Sequence, residues 1–67
     1  MKSSFAERLK ELRLKRGWTQ KELAEALGVA RASISHWETG RVPPSLHMLC
    51  EVRAALEVSW DELLGKP

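Results

Sequence analysis

The chain has 67 residues, with 11 Lys plus Arg against 9 Asp plus Glu, a net charge of +2 and an apolar fraction of 43%. That balance excludes a disordered polyelectrolyte, and the length limits the fold to one domain over residues 1–67. A single cysteine excludes an internal disulfide, and no apolar run approaches the roughly 18 residues of a membrane span, so a cytoplasmic setting without membrane contact is expected. With one Asp, two His and no Tyr, acid–base chemistry has few groups to use, and neither an enzyme nor a cofactor or small-molecule ligand is expected.

Helix signals run the length of the chain. Ser4 with Glu7 forms a capping-box pattern, in which each side chain meets a free N–H of the other's backbone. Phe5, Leu9 and Leu12 follow as one apolar stripe, with Arg8, Lys10, Glu11 and Lys15 on the other faces. Gly17 ends this first helix, expected over about 4–16. Thr19 and Glu22 repeat the capping box for a helix over about 19–27, stopped by Gly28, with Trp18 set to act as a hydrophobic staple. Two turns do not persist in isolation, so this helix requires a neighbour.

A third helix is expected over about 30–38, with Ile34 and Trp37 turned inward and Gly40 at its end. Its outer side carries Arg31, Ala32, Ser35 and His36, a small and partly basic surface. Val42-Pro43-Pro44 forces an extended connector. Ser45 caps a helix over about 45–56 with Leu46, Leu49, Val52 and Leu56 at core spacing. Ser59 and Glu62 supply another capping box, for a last helix over about 59–64 carrying Leu63 and Leu64. The reading is an all-α fold of five helices. They occupy nearly the whole chain, so no separate effector domain is expected, and control should act through concentration, dimerisation or a partner protein.

The charge is unevenly distributed. Residues 1–41 hold nine basic and five acidic side chains, whereas 42–67 hold two and four, which points a polyanion toward the first three helices. Gly28-Val29-Ala30 joins two short helices, and Ala24 is small enough to let them cross closely. Over about residues 19–39 this has helix-turn-helix geometry, which projects its second helix as a ridge suited to the DNA major groove. His47 and Cys50 stand three apart on one helix, but two ligands do not make a zinc site; no metal is expected, and Cys50 reads as a half-buried small residue.

The chain resembles the phage-repressor and Cro-like (XRE) helix-turn-helix family over nearly its whole length. The match rests on Gly17-Trp18-Thr19-Gln20, Glu22-Leu23-Ala24, Leu27-Gly28-Val29, Ser33-Ile34-Ser35, Trp37-Glu38-Thr39-Gly40 and Pro44-Ser45-Leu46. The resemblance implies a compact lambda-repressor-like bundle and a transcriptional regulator, by family habit a repressor, that binds double-stranded DNA at a palindromic operator. Arg31, Ala32, Ser35 and His36 match its base-reading positions, and Thr19, Gln20, Ser33, Thr39 and Arg41 match backbone-phosphate positions. Arg13 and Glu38 match a structural ion pair, and Trp60 with Leu64 is the candidate contact of a weak homodimer formed on DNA. An alternative use of the fold is a protein-interaction module for a toxin or sigma factor, with DNA secondary.

Three positions depart from the family pattern. Ala30 stands where Ser or Thr often caps the third helix, so that end is expected to fray or to be ordered by DNA. Arg53 occupies a position that is usually small, which should disturb the packing of the fourth helix. Trp60 is large for a site next to a cap, which suits an exposed anchor.

Overall fold

The computed structural model describes residues 4–65, folded as α1 (Phe5–Lys15), α2 (Gln20–Leu27), α3 (Arg31–Thr39), α4 (Leu46–Leu56) and α5 (Trp60–Leu64). Local chemistry sets each boundary. All three capping boxes form: Ser4 with Glu7, Thr19 with Glu22 and Ser59 with Glu62. The Ser45 hydroxyl accepts from the Met48 N–H at 3.2 Å. Ala30 offers no side-chain cap, as expected, and the Ser33 N–H bonds to the Ala30 carbonyl at 3.0 Å across the first turn of α3.

The four longer helices end alike. After α2, the Val29 N–H bonds the Ala24 carbonyl at 3.0 Å and the Gly28 N–H bonds that of Glu25 at 3.3 Å, the paired bonds of a Schellman motif. The motif needs a left-handed residue, and Gly28 takes it at φ +72° without steric cost. The same pair of bonds closes α4, but there the left-handed residue is Glu57 at φ 56°, a conformation that costs a residue with a side chain about 1 kcal/mol. The exposed carboxylate of Glu57 meets Arg16 at 3.4 Å.

Every helix sends at least one side chain to a single core: Leu9, Leu23, Ala24, Ile34, Trp37, Val52, Leu56 and Leu63. Trp18 and Val29, from the turns flanking α2, and Leu27, at its end, pack against it. Among the described residues no helix is long and apolar enough to cross a membrane.

Two expectations for α4 are corrected. Leu46 is 75% exposed rather than core, and Cys50 is exposed rather than half-buried. At 3.6 residues per turn, Leu46 lies about 120° and Cys50 about 160° around the helix from the buried Val52. Met48, Leu49 and Ala55 complete the inner face instead. On α1, Arg8, off the apolar stripe as expected, is half-buried, and its guanidinium covers the end of α5, with Nε donating to the Glu62 carbonyl at 2.8 Å and Nη2 sharing that oxygen. Arg8 thus neutralises a carbonyl where the dipole of α5 is negative.

The α5 cap is pH-sensitive. The Glu62 carboxyl is held below its ordinary value of 4.5, first by the Ser59 backbone N–H donating to it at 2.9 Å, an effect that partial desolvation opposes and that the Ser59 hydroxyl, Lys15 and Arg8 reinforce. A carboxyl lowered in the folded state stabilises above its unfolded value, and that contribution is lost as pH falls from about 4.5 through the lower native value. An NMR titration of Glu62 is expected to give a midpoint below 4.5. A midpoint at or above that value excludes the capping box in solution.

Candidate nucleic-acid interface

The site is built outward from a buried charge. Arg13 lies one turn beyond Leu9 on the inward stripe of α1, so its guanidinium enters the core region. Its Nε donates to Glu38 Oε2 at 2.6 Å and its Nη2 to Oε1 at 3.0 Å, a two-pronged pairing with a carboxylate carried by the last turn of α3. Its Nη1 donates to the Trp18 carbonyl at 2.7 Å. The side chains of Arg13 and Glu38 are 7% and 3% exposed, so the pair is buried. Arg13 thereby joins α1, the α1–α2 turn and α3 at one point.

With α3 anchored at its end, α2 and α3 pack more extensively on each other than any other helix pair. Ala24, on α2, is buried. Ile34 and Trp37 bind α3 inward, which leaves Arg31, Ala32 and His36 exposed and Ser35 half-buried on one continuous outer face. Thr39 continues that face, its hydroxyl donating to the Ser35 carbonyl at 2.9 Å. Ser33 is half-buried and turned about 160° from Ser35, so it stands on the opposite flank.

The residues expected at phosphates frame this face. Arg41 is exposed just past α3. Thr19 caps α2 with its hydroxyl oxygen accepting from the Glu22 N–H at 3.1 Å, leaving the hydroxyl proton free to donate. Gln20, at the start of α2, is half-buried and its amide is already engaged: Nε2 donates to Glu38 Oε1 at 3.1 Å, and Oε1 accepts from Arg31 Nη1 at 3.4 Å. The sequence carried no sign of this bridge, because its ends lie 18 and 11 residues from Gln20 and meet only through folding.

The two large departures from the family pattern meet each other. The Arg53 guanidinium lies over the Trp60 ring at 5.4 Å, and its Nη1 donates to the Val58 carbonyl at 3.4 Å. Arg53 therefore fits by folding against Trp60 instead of disturbing α4, where Val52 and Leu56 remain buried. Trp60 still keeps 40% of its surface exposed and Leu64 keeps 50%. Arg16 likewise covers Trp18 at 4.6 Å. His47 and Cys50 are both exposed, and among the described residues no group of three His, Cys, Asp or Glu stands close enough to hold a metal.

A short α2 and α3 joined through a left-handed glycine, with α3 offering a polar ridge, define a helix-turn-helix DNA-binding domain. The helix-turn-helix family matches residues 9–63, and the chain belongs to that family, in its XRE branch of Cro- and repressor-like domains. The transcriptional activator BcrR of Enterococcus faecalis is 42% identical over 61 residues, covering 91% of this chain and 30% of BcrR. The regulator ImmR of Bacillus subtilis is 41% identical over 63 residues, covering 94% of this chain and 50% of ImmR. The chain thus spans half or less of these two relatives. The P22 c2 repressor, solved in complex with a synthetic operator, superposes with a TM-score of 0.87 at 31% identity, covering 96% of this chain and 97% of that one.

Removing one member of the buried pair strands the other charge. Glu38→Ala is expected to cost about 3–5 kcal/mol in urea denaturation, whereas Arg13→Met with Glu38→Leu should cost much less. A loss below about 1 kcal/mol for the single variant would mean that the pair is solvated in solution.

Proposed function

We propose that the chain is the DNA-reading part of a sequence-specific transcriptional regulator, which lays α3 in the major groove and represses by occupying an operator. The observation that carries this reading is the continuous outer face of α3, which begins with Arg31 and leaves Arg31, Ala32 and His36 exposed. The likeness to the P22 c2 repressor, solved on operator DNA, supports it.

In this reading Arg31 donates in bidentate fashion to guanine O6 and N7, Ala32 meets a thymine methyl, and Ser35 and His36 face neighbouring bases. Arg41, Thr39, Ser33, the Thr19 hydroxyl and the first N–H groups of α2 at Gln20 hold the flanking phosphates and set the register. The two sets differ in their energetic signature. Arg31→Ala is expected to lose about 1–3 kcal/mol on the preferred duplex and to relax specificity at one base pair. Arg41→Ala should weaken all duplexes alike and flatten the salt dependence by about one unit of slope. Titrations on a selected duplex and on random DNA at several salt concentrations distinguish them. An equal loss on both DNAs for Arg31→Ala removes its base-reading role.

A two-fold operator calls for two copies with half-sites about one DNA turn apart. We assign the contact to Trp60 and Leu64, the exposed apolar residues one turn apart on α5. So small a patch suits a weak dimer completed on DNA. Trp60→Ala is expected to lower the association constant in sedimentation equilibrium and the cooperativity of half-site filling. Unchanged association and cooperativity would discard Trp60 as the anchor.

A further inference from the structure

Arg53 and Trp60 meet at the corner between α4 and α5, and this corner is poorly satisfied within one chain. The guanidinium lies over the Trp60 ring at 5.4 Å, where it gains a cation–π contact. Its hydrogen bonding is meagre. Among the described residues Nη1 makes one long bond, to the Val58 carbonyl at 3.4 Å, and Nε is buried without an acceptor. A buried donor without a partner costs stability, and a guanidinium has five N–H groups to satisfy. The ring beneath it still keeps 40% of its surface exposed, and Leu64, one turn further on, keeps 50%. Tryptophan and arginine are the side chains that most often carry the binding energy of an interface.

The charge around this corner points to the partner. From Val42 to Gly65 the chain carries Glu51, Glu57, Asp61 and Glu62 against one cation, Arg53. Two copies meeting on α5 bring two acidic helix starts together, which opposes association unless a cation stands between them. Glu62 is bonded to Ser59 in its own capping box, and Glu57 meets Arg16 at 3.4 Å. Asp61 is exposed beside Trp60 in the first turn of α5. A two-fold contact is isologous, so a residue that reaches across the axis does so twice. We propose that Arg53 of each copy pairs across the two-fold axis with Asp61 of the other, held in place by stacking on its own Trp60. The inference rests on the dimer contact at Trp60 and Leu64 proposed above. It gives Arg53 a role beyond packing on Trp60, because it makes two surfaces of like charge complementary. The pairing also selects the partner, since a related domain with a small residue in place of Arg53 brings only acidic groups to the contact.

The test reads association of the whole chain in two ways, by sedimentation equilibrium and by the cooperativity of half-site filling on a duplex selected from a random pool. Arg53→Glu, Asp61→Lys, Arg53→Gln and Trp60→Ala are compared with the parent after circular dichroism has verified their folding. Arg53→Glu and Asp61→Lys are each expected to lower the association constant about tenfold or more, since each sets like charges face to face twice. An equimolar mixture of these two variants restores association, because every cation in the mixed pair again faces an anion. Arg53→Gln removes the charge without reversing it, and its association should no longer weaken with added salt as that of the parent does. A mixture that fails to associate, or an Arg53→Gln chain that associates as the parent does at every salt concentration, overturns the pairing alone while Trp60→Ala still weakens association. Parent-like association in Trp60→Ala, or no association of the parent by either measurement, overturns the dimer contact and the pairing with it.

Discussion

The Arg13–Glu38 pair ties together α1, the α1–α2 turn, the start of α2 and the end of α3. A guanidinium and a carboxylate withdrawn from water each carry a desolvation penalty of several kcal/mol, which only close, well-directed bonding offsets. Here the carboxylate receives three N–H donors and the guanidinium reaches a third acceptor in the α1–α2 turn. Because those partners lie on α1, on the turn before α2, at the start of α2 and at the end of α3, the satisfied geometry exists in one relative arrangement of the three helices. Apolar contacts among Leu9, Leu23 and Ile34 supply burial, but they tolerate small rotations. The polar pair does not.

That restriction matters because the elements are short. α2 has eight residues and α3 nine, lengths at which an isolated helix is mostly unfolded in water. Their persistence comes from packing on each other and on the common core. Their ends come from backbone bonding repeated from helix to helix, with two carbonyls closed by the N–H groups of the turn. Compact turns keep the connections short enough that the direction of α3 is inherited from α1 and α2. A ridge whose direction is inherited in this way can meet a groove of fixed width. The outer face itself contributes little to stability, which leaves its side chains free to be chosen for a ligand.

Legibility followed the range of the interactions. Each capping box spans three residues and each glycine stop acts on the helix just before it, so all five helices were readable to within a residue or two. The outer face of α3 was equally readable, since Ile34 and Trp37 fix its inner side at helical period. Errors appeared where spacing alone had to choose a face. Leu46 belongs to an apolar series with Leu49 and Val52, yet at the first helical position it points outward, beside Cys50. Arg8 lies off the apolar stripe of α1, and nothing in its neighbourhood along the chain hints that the end of α5 comes to lie beneath it. Arg53 and Trp60 each looked like a misfit when considered singly, and only their stacking accounts for both.

Composition, periodicity and turn chemistry were therefore sufficient for the all-α class, the helix boundaries, the glycine-hinged pair and the identity of the outward residues on α3. These are consequences of neighbours within about one helical turn. The tertiary fold alone decided that α5 would be closed by Arg8, that Arg53 would be accommodated by Trp60, and that Gln20 would bridge Glu38 to Arg31. Each joins residues that are adjacent only after the core has formed. A long polar side chain has many rotamers and several possible partners, and burial selects among them.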